Sequence, residues 1–93
     1  MKIYGVYMVQ CSDDSLYTGW TTDVTARVAH HNAGLGAKYT RSRLPVVLVY
    51  WQTLPTKAAA MRQEYVIKKL PRAKKLQLIK SSESNTTPSL STF

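Results

Sequence analysis

Between Pro45 and Gln52 the chain runs Val46-Val-Leu-Val-Tyr-Trp51 without a polar break. A continuous run of β-branched and aromatic residues this short, bounded by proline, has the pattern of a central buried strand. The rest of the chain has to be arranged around it. Residues 3–10, Ile-Tyr-Gly-Val-Tyr-Met-Val-Gln, have the same chemistry and read as a first strand. Cys11-Ser-Asp-Asp-Ser15 is turn chemistry, because short polar side chains bond their own backbone a residue or two further on. Leu16 to Trp20 then reads as a second strand, which makes a hairpin.

A helix follows, capped by Thr21 or Thr22 with Asp23 near its positive end. Val24 and Val28 share one face, and Gly34 stops the helix at about Ala33. Residues 34–45 form a connector. Thr56 can cap a second helix whose Ala58, Met61 and Tyr65 form the inward stripe. Pro71 breaks it, and Arg72 to Lys80 makes a short, very basic last helix with Leu76 and Ile79 facing in. The order β-β-α-β-α-α predicts an α+β fold, a three-stranded antiparallel sheet flanked by helices. Residues 1–80 make one domain. Residues 81–93 hold eight Ser or Thr and almost nothing to bury, which predicts a disordered tail.

Charge is distributed unevenly. Residues 1–37 carry Lys2 and Arg27 against Asp13, Asp14 and Asp23, a net of −1. Residues 38–80 carry eleven Lys or Arg against Glu64 alone, a net of +10. Such a half suits a polyanion, since each phosphate neutralised releases condensed counterions; the plainer reading is a solvated basic surface. The apolar stretch Ile3 to Val9 is too short for a membrane span or a signal peptide. A single cysteine, Cys11, forms no internal disulfide and fits a reducing compartment, so the cytoplasm is the expected location.

Several chemistries lack their residues: there is no P-loop, no Cys/His metal spacing and no supported Ser-His-Asp set. Five acids in all disfavour a two-metal site, which needs several carboxylates. A different constellation is present. Gly5-Val6-Tyr7 lies on the first strand and Tyr17-Thr18-Gly19 on the second, with nine residues between the tyrosines. Arg27 follows Gly19 by eight positions, His31 follows Arg27 by four, and Glu64 stands in the middle of a later helix. In this ordered combination, over residues 3–80, the chain resembles the GIY-YIG nucleases, in particular their small single-domain bacterial members of the UPF0213-like subgroup.

The resemblance implies a site. Tyr7 would lie near the attacking water as general base or as part of its relay, with Arg27 and a metal lowering the pKa of its phenol. Tyr17 would orient a phosphate oxygen or the nucleophile. Arg27 would stabilise the phosphorane, and His31 would carry a proton or bind phosphate. Glu64 would hold one Mg²⁺ or Mn²⁺, whose other ligands come from water and substrate. Each residue has a plainer role: Tyr7 as core, Gly19 as a strand exit, Arg27 as solvated surface, Glu64 as the i,i+4 partner of Lys68. His30 lies about 100° from His31 on the helix and reads as surface or core edge. Asp13 and Asp14 belong to a turn.

Lys38, Tyr39, Arg41 and Arg43 in the connector combine cations with an aromatic ring, as a phosphate-tracking and base-stacking surface would. Lys68, Lys69 and Arg72 can extend that footprint, and Gly19 would lie beside the bound backbone. The asparagine that many of these nucleases carry after the metal-binding Glu is missing; the region reads Lys74-Lys75-Leu76-Gln77. The appended recognition domains of most such nucleases are also not seen, so affinity without targeting is expected, or a protein partner supplies the address. Two readings stand: a metal-dependent endonuclease acting on DNA or RNA, and a non-catalytic nucleic-acid-binding module on the same scaffold.

Overall fold

The structure, a computed structural model, describes residues 3–90, with side chains through Ser81. Strand β1 (Tyr4–Gln10) turns through residues 11–15 into β2 (Leu16–Thr21). Helix α1 (Val24–Asn32) and a one-turn helix α2 (Lys38–Arg41) lead to β3 (Val47–Leu54). Helices α3 (Lys57–Lys68) and α4 (Arg72–Leu90) complete the chain. The strands form one antiparallel sheet in the order β2-β1-β3. The α+β class and the order of the longer elements are as the sequence predicts; α2 is an addition within the connector.

The apolar run 46–51 is not central. The hairpin occupies one side of β1 and β3 takes the other, so β1 lies in the middle and β3 forms an edge. Val47 and Leu48 at its start are exposed, whereas Gly5 to Val9 of β1 are all buried. Alternation along β1 divides the interior in two. Val6 and Met8 point to the side covered by α3 and α4, where Ala60, Ile67 and Ile79 meet them. Tyr7 and Val9 point to the other side with Cys11 and Val46, against Val24 and Val28 of α1. Cys11 is a buried free thiol.

The helix caps and stripes need correction. Asp23, not a threonine, caps α1: its carboxylate accepts from the Ala26 amide at 3.1 Å, while Thr21 Oγ1 accepts from the Asp23 amide. Thr56 caps α3 as expected, accepting from the Ala59 amide at 3.0 Å. Ala58, Met61 and Tyr65 face solvent. The inward row is Ala60, Glu64 and Ile67, whose spacing of four and three is equally helical. A carboxylate in the middle of the row hides it from any reading that follows apolar residues. On α4, Ile79 packs inward but Leu76 is exposed, and Leu78 takes its place. This helix runs ten residues past Lys80, the expected end. The side chains of 82–90 and all of 91–93 lie outside the described residues, and with them most of the stretch expected to be a disordered tail. No helix among the described residues is long and apolar enough to cross a membrane.

Candidate active site

Tyr7 lies directly opposite Gly19 in the β1–β2 register. A Cβ built on Gly19 would stand 2.6 Å from Tyr7 Oη and 2.8 Å from its Cζ, so the ring occupies space that any other residue would fill. Tyr17, two residues earlier on β2, shares that face and tilts against Tyr7 with ring centroids 6.5 Å apart. One helical turn separates Arg27 from His31 on α1, and both side chains reach the same cleft. Gly36 performs for His31 the service Gly19 performs for Tyr7: a Cβ there would collide with the imidazole at Nδ1.

The histidine is held at both ring nitrogens. Tyr7 Oη and His31 Nε2 share a hydrogen bond of 2.8 Å, and His31 Nδ1 and Thr40 Oγ1 share one of 2.9 Å. Thr40 lies on α2 and is fully buried; His31 is 1% exposed. Asn32 anchors the neighbouring backbone, accepting from the Val46 amide at 2.7 Å and donating to its carbonyl at 3.0 Å. Across the cleft, the inward row of α3 brings up Glu64. Tyr7, Tyr17, Gly19, Arg27, His31 and Glu64 thus line one open cavity of about 550 Å³.

Burial, and the neighbouring Tyr17, push the Tyr7 phenol well above its ordinary pKa; Arg27 pulls the other way and Glu64 adds to the rise. The expectation that Arg27 lowers this phenol holds for its own contribution but not for the net shift. Arg27 does act in that direction, but desolvation outweighs it. His31 is held below the usual imidazole value by burial first, then by the charges of Arg27 and His30. At neutral pH both members of the Tyr7–His31 pair are uncharged.

The basic residues divide. Lys38 and Arg41 are exposed on α2. Tyr39 stacks on Tyr17, centroids 6.1 Å apart and planes 22° from parallel, and the Arg43 guanidinium sits 3.9 Å from the Tyr39 ring centroid. Arg43 is engaged further, with an ion pair of 3.0 Å to Asp13 and a hydrogen bond to the Tyr39 carbonyl. Lys68 pairs with Glu64 at 3.2 Å, the i,i+4 arrangement that the spacing allowed. Lys69 leans toward the Tyr65 ring, and Arg72 opens α4. Lys68, Lys75, Tyr17 and Tyr39 line a second depression of about 230 Å³. His30 is exposed, Asp13 and Asp14 sit in the β1–β2 turn, and Gln77 lies away from the cleft.

No group of three or more His, Cys, Asp or Glu converges among the described residues. Glu64 is the one carboxylate lining the cavity. Mg²⁺ is commonly held by one or two carboxylates and completes its shell with water and substrate phosphate. An open cleft with one carboxylate fits an ion of that kind.

Sequence reasoning missed Thr40 and Gly36. Both fall in a connector where nothing in spacing marks a residue that will meet His31. Tyr39 was singled out for stacking on a base, but its partner here is Tyr17.

Residues 3–77 match the family model for the GIY-YIG catalytic domain. A UPF0213 protein of Staphylococcus haemolyticus is 59% identical over 79 residues, which is 85% of this chain and 96% of that one. Another, from Haloquadratum walsbyi, is 53% identical over 83 residues, 89% and 93% of the two chains. Among solved structures, a UPF0213 protein of Bacillus halodurans is 50% identical, with a TM-score of 0.55 and coverage of 84% and 83%. A protein of E. faecalis is 37% identical, with a TM-score of 0.60 and coverage of 87% and 86%.

Proposed function

Since the chain belongs to the GIY-YIG family, we propose that it is a metal-dependent endonuclease that hydrolyses phosphodiester bonds in nucleic acid, DNA foremost. The observation that carries this reading is the convergence of Tyr7, Tyr17, Arg27, His31 and Glu64 on one cleft, with Tyr7 bonded to His31. A buried phenol with a raised pKa is a poor base by itself, because its phenolate is not populated at neutral pH. A relay removes the difficulty. As the attacking water gives a proton to Tyr7 Oη, Tyr7 passes its own proton to His31 Nε2, and the phenol never holds a full charge.

The water oxygen bonds to phosphorus, the bond to the leaving oxygen breaks, and that oxygen takes a proton from solvent. His31 ends as imidazolium and returns its proton to solvent. Arg27, cationic at every relevant pH and without a carboxylate partner among the ion pairs described, offsets the charge that builds on the phosphorane. Tyr17 orients a phosphate oxygen. Glu64 would hold Mg²⁺ or Mn²⁺, which would supply Lewis-acid stabilisation of the phosphate. Lys38, Tyr39, Arg41, Lys69 and Arg72 would follow the nucleic-acid backbone, with a protein partner supplying the address. A chain with one buried cysteine suits the reducing cytoplasm.

The test is cleavage of labelled single-stranded, duplex and branched DNA with Mg²⁺ or Mn²⁺, comparing wild type with Glu64→Ala. Metal-dependent cutting lost in the variant is the expected result. If neither protein cuts while both bind DNA with a steep salt dependence, the chain is a binding module instead.

A further inference from the structure

The Tyr7–His31 bond can run either way, and the relay works only if His31 Nε2 is the acceptor. We infer that Thr40 fixes that direction: it holds His31 in the tautomer with hydrogen on Nδ1, making Thr40 a positioning residue for the proposed nuclease. The polarity itself follows from hydrogen-bond counting and does not depend on that reading.

The Thr40 hydroxyl has one hydrogen and two neighbours, His31 Nδ1 at 2.9 Å and the Ala37 carbonyl at 2.9 Å. A carbonyl only accepts, so the hydroxyl donates there. This is the shortest of three bonds to that oxygen, which also accepts from the Thr40 and Arg41 amides at 3.1 and 3.2 Å. The remaining capacity of Thr40 Oγ1 toward the ring is as acceptor, so Nδ1 must carry the hydrogen. If the hydroxyl turned to the ring instead, two oxygens would face each other at 2.9 Å without a proton between them.

A neutral imidazole has a single N–H. With burial and the neighbouring charges keeping His31 uncharged at neutral pH, a hydrogen on Nδ1 leaves Nε2 bare. Tyr7 then donates to Nε2, and the free lone pairs on its oxygen remain to accept from the cleft. No other group competes for Nδ1, because Gly36 packs against that atom too closely even for a methyl group and the ring is almost fully buried. A triad-like logic results, in which a third group sets the tautomer of a histidine that takes the proton. Here the third group is a neutral hydroxyl, itself oriented by a backbone carbonyl.

Imidazole ¹⁵N shifts distinguish the tautomers without any assay of activity. Wild-type protein at pH 7.5 should show a protonated-type Nδ1 and a bare-type Nε2 for His31, and the reverse pattern overturns the inference. Thr40→Val, of the same shape but without the oxygen, should lose this preference and cut DNA roughly 10–100-fold more slowly, by analogy with groups that orient metal-bound histidines. Thr40→Ser should restore both. A valine variant that keeps the tautomer, or that cuts as fast as wild type, defeats the positioning role. A wild type with the expected tautomer that cuts nothing defeats the nuclease reading alone and leaves the Thr40 clamp in place.

Discussion

Alternate residues of the same strands build both sides of the sheet, yet the two interiors are held by different physics. Toward α3 and α4, Val6 and Met8 meet Ala60, Ile67 and Ile79, and the buried Thr18 opposite Met8 has no hydrogen-bond partner for its hydroxyl among the described residues. Toward α1 and α2, Tyr7 meets His31 at hydrogen-bond distance, and His31 in turn meets Thr40. The first interior can exchange one hydrophobe for another of similar volume at small cost, because dispersion and transfer from water have no direction. The second cannot, because each buried polar atom depends on one partner at one angle. Along β1 the two interiors lie one residue of pleat apart, and Glu64 of α3 is the side chain that reaches from the apolar side to the cleft.

The contrast is sharpened most by Ile67→Ala. Emptying a fully buried site on the apolar side should cost about 2–5 kcal/mol in urea unfolding, and leave the His31 ¹⁵N shifts of the surviving folded protein unchanged. A shift there would mean the two interiors are coupled. Tyr7→Phe is the matching change on the polar side. It removes one oxygen, takes from His31 Nε2 the partner it meets at 2.8 Å, and should cost about 1–3 kcal/mol while abolishing any cleavage. A stability equal to wild type would show that the bond is not formed.

The smallest effect is titration. The unfolded chain binds a proton at His31 near 6.5, the folded chain only at lower pH. The unfolded state therefore holds more protons in that window, and stability falls as pH drops below 6.5. The slope is at most about 1.4 kcal/mol per pH unit for one group, and His31→Gln should flatten it. At the alkaline end the raised Tyr7 pKa acts with the opposite sign, removing stability as pH climbs past 10. On the apolar side the Tyr50 phenol, also raised by burial, adds to the alkaline slope.

What could be read in the sequence follows the same division. Strand chemistry, turn residues and the Thr56 cap are local signals, and they placed the sheet and the main helices correctly. The order of strands is not local: the most apolar run went to an edge because the hairpin had already taken one side of β1. The inward row of α3 was missed because its middle member is Glu64, a residue placed for the cleft and not for the core. Tyr7, Tyr17, Arg27, His31 and Glu64 were legible as a set through the family pattern. Thr40 and Gly36 were not, since a hydroxyl nine residues from its histidine leaves no spacing to recognise. The net effect on the Tyr7 phenol was also out of reach, because it depends on how much water remains around the ring.

The double pairing of β1 has a consequence for timing. A strand bonded along both edges is among the last parts of a small protein to open, while the final turn of a short helix frays early. Tyr7 rides on the former and His31 on the latter, the penultimate residue of α1. Any breathing motion that parts them moves the histidine and leaves the tyrosine still. The two bonds from Asn32 to the Val46 backbone, one residue beyond His31, act as a latch on that motion. In the proposed relay, the time that latch stays shut would limit the lifetime of the proton path.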